Sequence, residues 1–164
     1  MNDEGLTISF KGKAADIFRR LDDTGFVEVG IIGSEKAEDD EVTVAYYGSV
    51  HEFGDPKHNI PMRSFLRHPL QTYLKRYLSR NYAKIVGAMF KGEKEKVLHK
   101  LGNAAKNIVI NSFKTRGVYG EWPELSEETI ARKTVNGKAG DAPLIDTGAL
   151  RQSIDYKVTL KREM

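Results

Sequence analysis

The chain has 164 residues and a mass of 18.4 kDa, the size of one domain that buries about 70% of its unfolded surface without staples. With 40% hydrophobic and 30% charged residues it is too apolar for a disordered chain, and it has no apolar run of the ~20 residues that cross a bilayer. It contains no cysteine and carries a formal net charge of +3, which excludes disulfides, thiolate zinc sites, iron–sulfur clusters and cysteine nucleophiles.

Residues 6–10 (L-T-I-S-F) alternate and predict a short strand. Ala14, Ile17, Phe18 and Leu21 recur at helical spacing, and Asp22, Asp23 and Gly25 end that helix. Residues 26–32 are β-branched and alternating, a second strand. Residues 35–41 are an acidic loop and 42–46 resume extended character, while 47–53 fit either a strand or a short helix. Residues 54–61 form a loop punctuated by Asp55-Pro56 and Ile60-Pro61.

Pro69 suits the first turn of a long helix. Leu70, Tyr73, Leu74, Tyr77, Leu78, Ile85, Met89 and Phe90 keep one apolar stripe, read as core. Gly92 interrupts it, and Val97, Leu98, Leu101, Ala105, Ile108 and Val109 carry a second stripe to about Phe113. The periodicity fits a helical hairpin and a bent long helix equally. Gly117 and Gly120 mark the exit. Ser126 caps a brief helix to about Lys133, with Glu127 and Glu128 at its positive end. Residues 135–142 are a glycine-containing loop, Asp146 caps another short helix, and 154–160 form a last strand. The expected class is α+β in a single domain, residues 1–164: a small mixed or antiparallel sheet packed against two long central amphipathic helices.

Several strings resemble catalytic motifs without their context. Asp146-Thr147-Gly148-Ala149 follows Pro143-Leu144-Ile145 as in retroviral-type aspartic proteases, where the carboxylate shares a proton with a symmetry mate. That fold needs a flap and further strands, and only residues 150–164 follow, so a cap for a helix with Leu150 and Ile154 as its apolar positions is expected instead. His51-Glu52 lacks a second histidine four residues on, where Asp55 stands. His58, His68 and His99 add no metal-site spacing, so no metal is expected and His51 and Glu52 are expected to bond locally at the Gly54 turn. Gly30-Ile31-Ile32-Gly33-Ser34 lacks the lysine and helix of a phosphate loop, and no serine sits in a nucleophile elbow. Neither an enzyme nor a cofactor is expected.

Charge is unevenly distributed. Residues 1–62 hold 13 acids and 6 bases (net −7), 63–116 hold 13 bases and 2 acids (net +11), and 117–164 hold 8 acids and 7 bases (net −1). The basic block, including Lys75, Arg76, Arg80, Lys84, Lys91, Lys94, Lys96, Lys100 and Lys106 with Tyr73, Tyr77 and Tyr82 interleaved, could neutralise nucleic-acid phosphates. The tyrosines fall mostly on the apolar stripe, however, and no docking motif frames the charges, so a solvated helix face is favoured. The same polarity suits head-to-tail packing of identical copies.

Three stretches in order carry a resemblance. They are Val50-His51-Glu52-Phe53-Gly54 followed by Ile60-Pro61-Met62-Arg63-Ser64-Phe65-Leu66; then Trp122-Pro123-Glu124-Leu125-Ser126 with Thr129, Ile130 and Lys133; then the run from Pro143 through Asp146, Thr147, Gly148 and Leu150 to Ile154. This order resembles the virion-morphogenesis family of tailed bacteriophages and prophages, whose members act in tail completion or head–tail joining. Met62 and Ser64 stand where that family more often has alanine and proline. The resemblance implies a non-enzymatic protein that forms rings with itself and docks to phage tail or neck proteins, in the cytoplasm of a bacterial host and then in the virion, with no membrane involved. It also implies that His51, Glu52, Phe53, Gly54, Pro61, Arg63, Phe65, Leu66, Trp122, Asp146, Thr147, Gly148 and Leu150 lock loops or face a neighbouring subunit. Phe53 is expected to lock its loop against the core, and Phe65 to do so or to insert into a neighbour.

Overall fold

A computed structural model describes residues 25–33, 43–135, 143–144 and 148–160. The expected strand at 6–10, the helix at 14–21, the acidic loop at 35–41 and the Asp146 cap lie outside these residues.

Strand β1 (Phe26–Ile31) pairs antiparallel with β2 (Ile154–Thr159), from Phe26 opposite Thr159 to Ile31 opposite Ile154. The alternation seen in the sequence splits the ribbon into two faces. Val27, Val29 and Ile31 share one with Ile154, Tyr156 and Val158, while Glu28 stands opposite Lys157 on the other, a favourable cross-strand charge pair.

Between the strands run the helices. Helix α1 (Val44–Phe53) starts at Thr43, whose side chain accepts a hydrogen bond from the Tyr46 amide, and ends at Gly54. The extended character expected over 42–46 is thus incorrect. Val44, Gly48 and Glu52, four residues apart, are the buried positions of this helix, and burial of that face outweighs the strand preference of Val, Tyr and Tyr. A Cβ at Gly48 would lie 2.3 Å from Ile31 Cδ1 and 3.1 Å from Leu150 Cδ1, so a glycine lets α1 approach the sheet.

After a 3-10 turn (Pro56–His58), helix α2 (Arg67–Pro69) leads without a break through a π turn (Leu70–Leu74) into α3 (Lys75–Phe90). Gly92, with φ 81°, reverses the chain into α4 (Lys94–Thr115). The two long segments form an antiparallel hairpin, since Phe65 at the start of the first stacks on Phe113 near the end of the second, ring centroids 5.2 Å apart. Helix α5 (Glu127–Val135) begins after Ser126, whose hydroxyl accepts from the Thr129 amide as a cap should. Helix α6 (Ala149–Gln152) has Gly148 at its N-cap, with φ 84°. Ile154, expected as an apolar position of that helix, instead opens β2.

The core gathers Val44, Phe65, Val109, Phe113, Trp122, Leu150 and Ile154. Helix α4 is its spine: it packs across both strands, and its buried face runs through Val97, Leu98, Gly102, Ala105, Val109, Ser112 and Phe113. Helix α3 differs. It is amphipathic in sequence, yet none of its residues is fully buried, which corrects the reading of its stripe as core. The sheet packs on α4, and α3 flanks that helix with Leu78, Tyr82 and Phe90 exposed.

Gly102 marks the closest helix–sheet approach. A Cβ there would fall 2.2 Å from Cδ2 of Tyr156. Gly102→Ala should gain up to about 1 kcal/mol of helix propensity, but overpacking costs about 1–3 kcal/mol. At 2.2 Å the clash wins, so we expect a net loss of about 1–2 kcal/mol in urea unfolding. A variant more stable than the wild type would show that α4 does not touch the sheet here.

Candidate functional site

The site grows from the turn after α1. Gly54 has φ 76°, and a Cβ there would lie 2.9 Å from the Met62 amide nitrogen and 3.1 Å from Ile60 O. Glycine is therefore required both by its φ and by the crowding. Asp55 pairs with Ile60 in an isolated bridge, and its side chain accepts from the Lys57 amide, closing the small loop. The returning chain runs beside the last turn of α1, where the Arg63 amide donates to His51 O at 2.8 Å.

This return brings Glu52 to the beginning of α2. Its side chain is 4% exposed, and its carboxylate accepts four hydrogen bonds. Oε1 takes the Ser64 hydroxyl at 2.6 Å and the Arg67 amide at 3.0 Å, while Oε2 takes the Phe65 and Leu66 amides, each at 2.9 Å. Ser64 Oγ in turn accepts from the His68 amide at 3.0 Å. The first amides of a helix have no partner within it, and its N-terminus carries partial positive charge. A carboxylate from a different helix answers both needs here.

A second set of contacts ties in residues 122–124. Arg63 is 5% exposed, and its guanidinium donates through Nε to Pro123 O at 3.0 Å and through Nη2 to Glu124 O at 2.9 Å. Trp122 Nε1 donates to Ser64 O at 3.1 Å, and its ring meets Phe113 edge-on. The Ser112 hydroxyl lies 2.9 Å from Phe65 O and 2.7 Å from Val109 O, anchoring the same segment to α4. Leu150 closes the assembly from α6 by packing into the shared core.

Of the residues singled out in the sequence, His51, Glu52, Gly54, Arg63, Phe65, Trp122 and Leu150 converge on this hub, with Leu66 packed half-buried against the core. Pro61 is exposed, and Asp146 and Thr147 lie outside the described residues. Phe53 does not lock its loop: it is 62% exposed, as Met62 is 54% exposed, and the Arg67 guanidinium stands 5.3 Å over its ring. The end of α1 turns Glu52 inward and its neighbour Phe53 outward. Phe65, 1% exposed, takes the place in the core instead. Glu52 bonds to residues 64–67 rather than locally, which overturns the reading of a self-contained turn. Ser64, Ser112 and Gly48 were missed. A capping serine just ahead of Pro69 was a usable signal for the first; the other two carry none.

His51 contributes an unusual element. Its Nδ1 is buried and meets no hydrogen-bond partner among the described residues, while the ring packs edge-on against Tyr47 with centroids 4.5 Å apart. Burial, with the nearby Arg63 cation, pushes its pKa down from 6.5 to about 4. The folded protein thus keeps this histidine neutral, whereas the unfolded chain protonates it near its ordinary value. Its contribution is fully present above pH 6.5 and is lost as pH falls toward 4. Discounted for partial exposure, the loss should be roughly 2–3 kcal/mol. His51→Phe should flatten that part of the stability profile in urea melts between about pH 4 and 7. Parallel profiles for variant and wild type would refute the assignment.

The basic residues sit in different surroundings. Lys106 pairs with Asp155 at 3.0 Å, holding that carboxyl below the usual carboxylate range. Lys100 lines an open depression with His99 and Tyr156, and Lys75 lines a separate groove. Arg80 and Lys84 are exposed on α3, and Arg76 reaches the Tyr119 hydroxyl. His58 and His68 pair with Asp55 and Glu121. Among the described residues, no three histidine, aspartate or glutamate side chains come together to hold a metal ion, and no helix is long and apolar enough to cross a membrane.

The hub therefore fixes three chain segments in one geometry and commits its polar groups to that task, leaving Phe53 and Met62 presented on its outer side. Comparison with protein-family models, with curated proteins and with solved structures finds no match.

Proposed function

We propose that this chain is a structural protein of tailed-phage or prophage virion morphogenesis, acting in tail completion or head–tail joining through ring-like self-assembly and docking to neighbouring virion proteins. One observation supports it above others: the strings that carry the resemblance, around residues 51–54, 61–66 and 122–124 and at Leu150, are the ones that meet in the Glu52 hub. A shared frame of this kind is what a family would keep while its outer surface varies with its neighbours in the particle.

Removal of the gene from an inducible prophage tests this reading. Electron micrographs of lysates should show unjoined heads and tails or unfinished tails, with normal particles restored by the wild-type gene. Normal infectious particles without the gene would defeat it. Light scattering with absorbance at 260 and 280 nm addresses the alternative, a nucleic-acid-binding module on residues 75–106. A nucleic-acid load with a steep salt dependence, a slope of roughly −0.9 per neutralised phosphate, would favour that alternative.

A further inference from the structure

Helix α3 is a partly uncovered amphipathic helix. Leu70, Leu74, Leu78 and Tyr82, four residues apart, line a groove of about 550 Å³ with Lys75 at its margin. Leu78 is 38% and Tyr82 69% exposed. Leu70 and Leu74 are half-buried, and the apolar surface that the row leaves to water costs hydrophobic free energy that a covering partner recovers.

The charges indicate which partner. From residue 63 to 92 the chain has seven arginines and lysines and no acid. Two copies pairing α3 on α3 would therefore set Lys75, Arg76 and their neighbours against the same residues, and like charges across an interface are costly. The opposite balance occurs once among the described segments: residues 117–131 hold four glutamates and no base. Glu121 faces His68 within the chain, but Glu124, Glu127 and Glu128 are exposed at the start of α5, beside the half-buried apolar Leu125 and Ile130.

We propose that the α3 groove receives the acidic 124–130 segment of a second copy, with Lys75 meeting its glutamates. The inference rests on the self-assembly reading and names the surfaces that carry it. Because the two surfaces differ, the contact is heterologous and repeats from copy to copy, closing into a ring or continuing as a filament.

The absence of cysteine makes the test direct. Leu78→Cys and Glu127→Cys alter exposed side chains, and each variant carries a single thiol. Mixed and mildly oxidised, the two full-length variants should form a mixed dimer about tenfold faster than either forms a dimer alone. In sedimentation velocity at low salt, Lys75→Glu should weaken association about tenfold, Glu127→Lys likewise, and the double exchange should restore it. Dimers of Leu78→Cys with itself that form as fast as the mixed dimer would overturn the proposal in favour of α3 pairing with α3. Oligomers of the wild type without a mixed disulfide would overturn these surfaces while leaving the self-assembly reading intact. Protection of the Leu78→Cys thiol by duplex DNA, together with a raised 260/280 ratio, would overturn the proposal and give the groove to nucleic acid. A wild type that stays monomeric at every concentration would overturn both the proposal and the self-assembly on which it rests.

Discussion

Glu52→Ala is expected to lower the free energy of unfolding by about 3–5 kcal/mol. Hydrogen bonds to a charged group contribute about 1.5–3 kcal/mol each, and this carboxylate accepts four. The full sum is not lost, because water entering the space would re-solvate some of the freed amides at the start of α2. What remains is still a large share of the roughly 5–15 kcal/mol that holds a typical domain together. Glu52→Gln keeps one acceptor but turns an amide donor toward other donors, so a loss of about 2 kcal/mol is expected. Ser64→Ala removes one donor to the carboxylate and the acceptor of the His68 amide, for about 1–2 kcal/mol. Urea unfolding at pH 7 followed by circular dichroism gives the order Ala, then Gln, then the Ser64 variant. A Glu52→Ala protein within about 1 kcal/mol of the wild type would mean that the carboxylate does not cap this helix.

Trp122→Ala is the other change expected to be severe, at about 3–5 kcal/mol. The indole is 5% exposed, meets Phe113 edge-on and donates to Ser64 O, so its loss opens a cavity where the core meets the hub. Close approach makes the space inflexible: a Cβ on Gly117 would lie 2.5 Å from Trp122 Nε1. Trp122→Phe separates the two contributions. It retains much of the packing and loses the N–H donor, leaving Ser64 O without its partner, which should cost about 1–3 kcal/mol. Equal losses for the two variants would assign the effect to the hydrogen bond alone. Trp122 is the single tryptophan, so in the wild type its fluorescence reports on the hub directly.

The legible parts of this fold were those governed by local rules. Period-two alternation marked β1 to within a residue, β2 was expected with similar bounds, period 3.6 marked α4, and Ser126 with two following glutamates marked the start of α5. Gly92 was legible as a break, although only the contact of Phe65 with Phe113 distinguishes a hairpin from a bend. Residues 42–46 were misread because Val-Ala-Tyr-Tyr prefers a strand in isolation, whereas the buried row of Val44, Gly48 and Glu52 decides the matter in three dimensions. The hub could be named but not built from sequence. His51, Glu52, Arg63 and Trp122 stood out, yet no spacing rule says that a glutamate ending one helix will cap another 15 residues later. Phe53 and Phe65 look equivalent as letters, and only the return path of the chain sends one to water and the other to the core.

The π turn at Leu70–Leu74 has a consequence for α3. Its hydrogen bonds span one residue more than those of an α-helix, so the helix beyond it leaves at a different azimuth from the one that 3.6 residues per turn would set. The wider turn keeps Leu70 and Leu74 on the same groove as Leu78 and Tyr82 beyond it. Loss of one residue from this turn would restore α geometry while the helix beyond kept its facing, because the wider turn is what absorbs the extra residue. The turn is thus a place where a single codon can be gained or lost without redirecting α3 away from the core that anchors it.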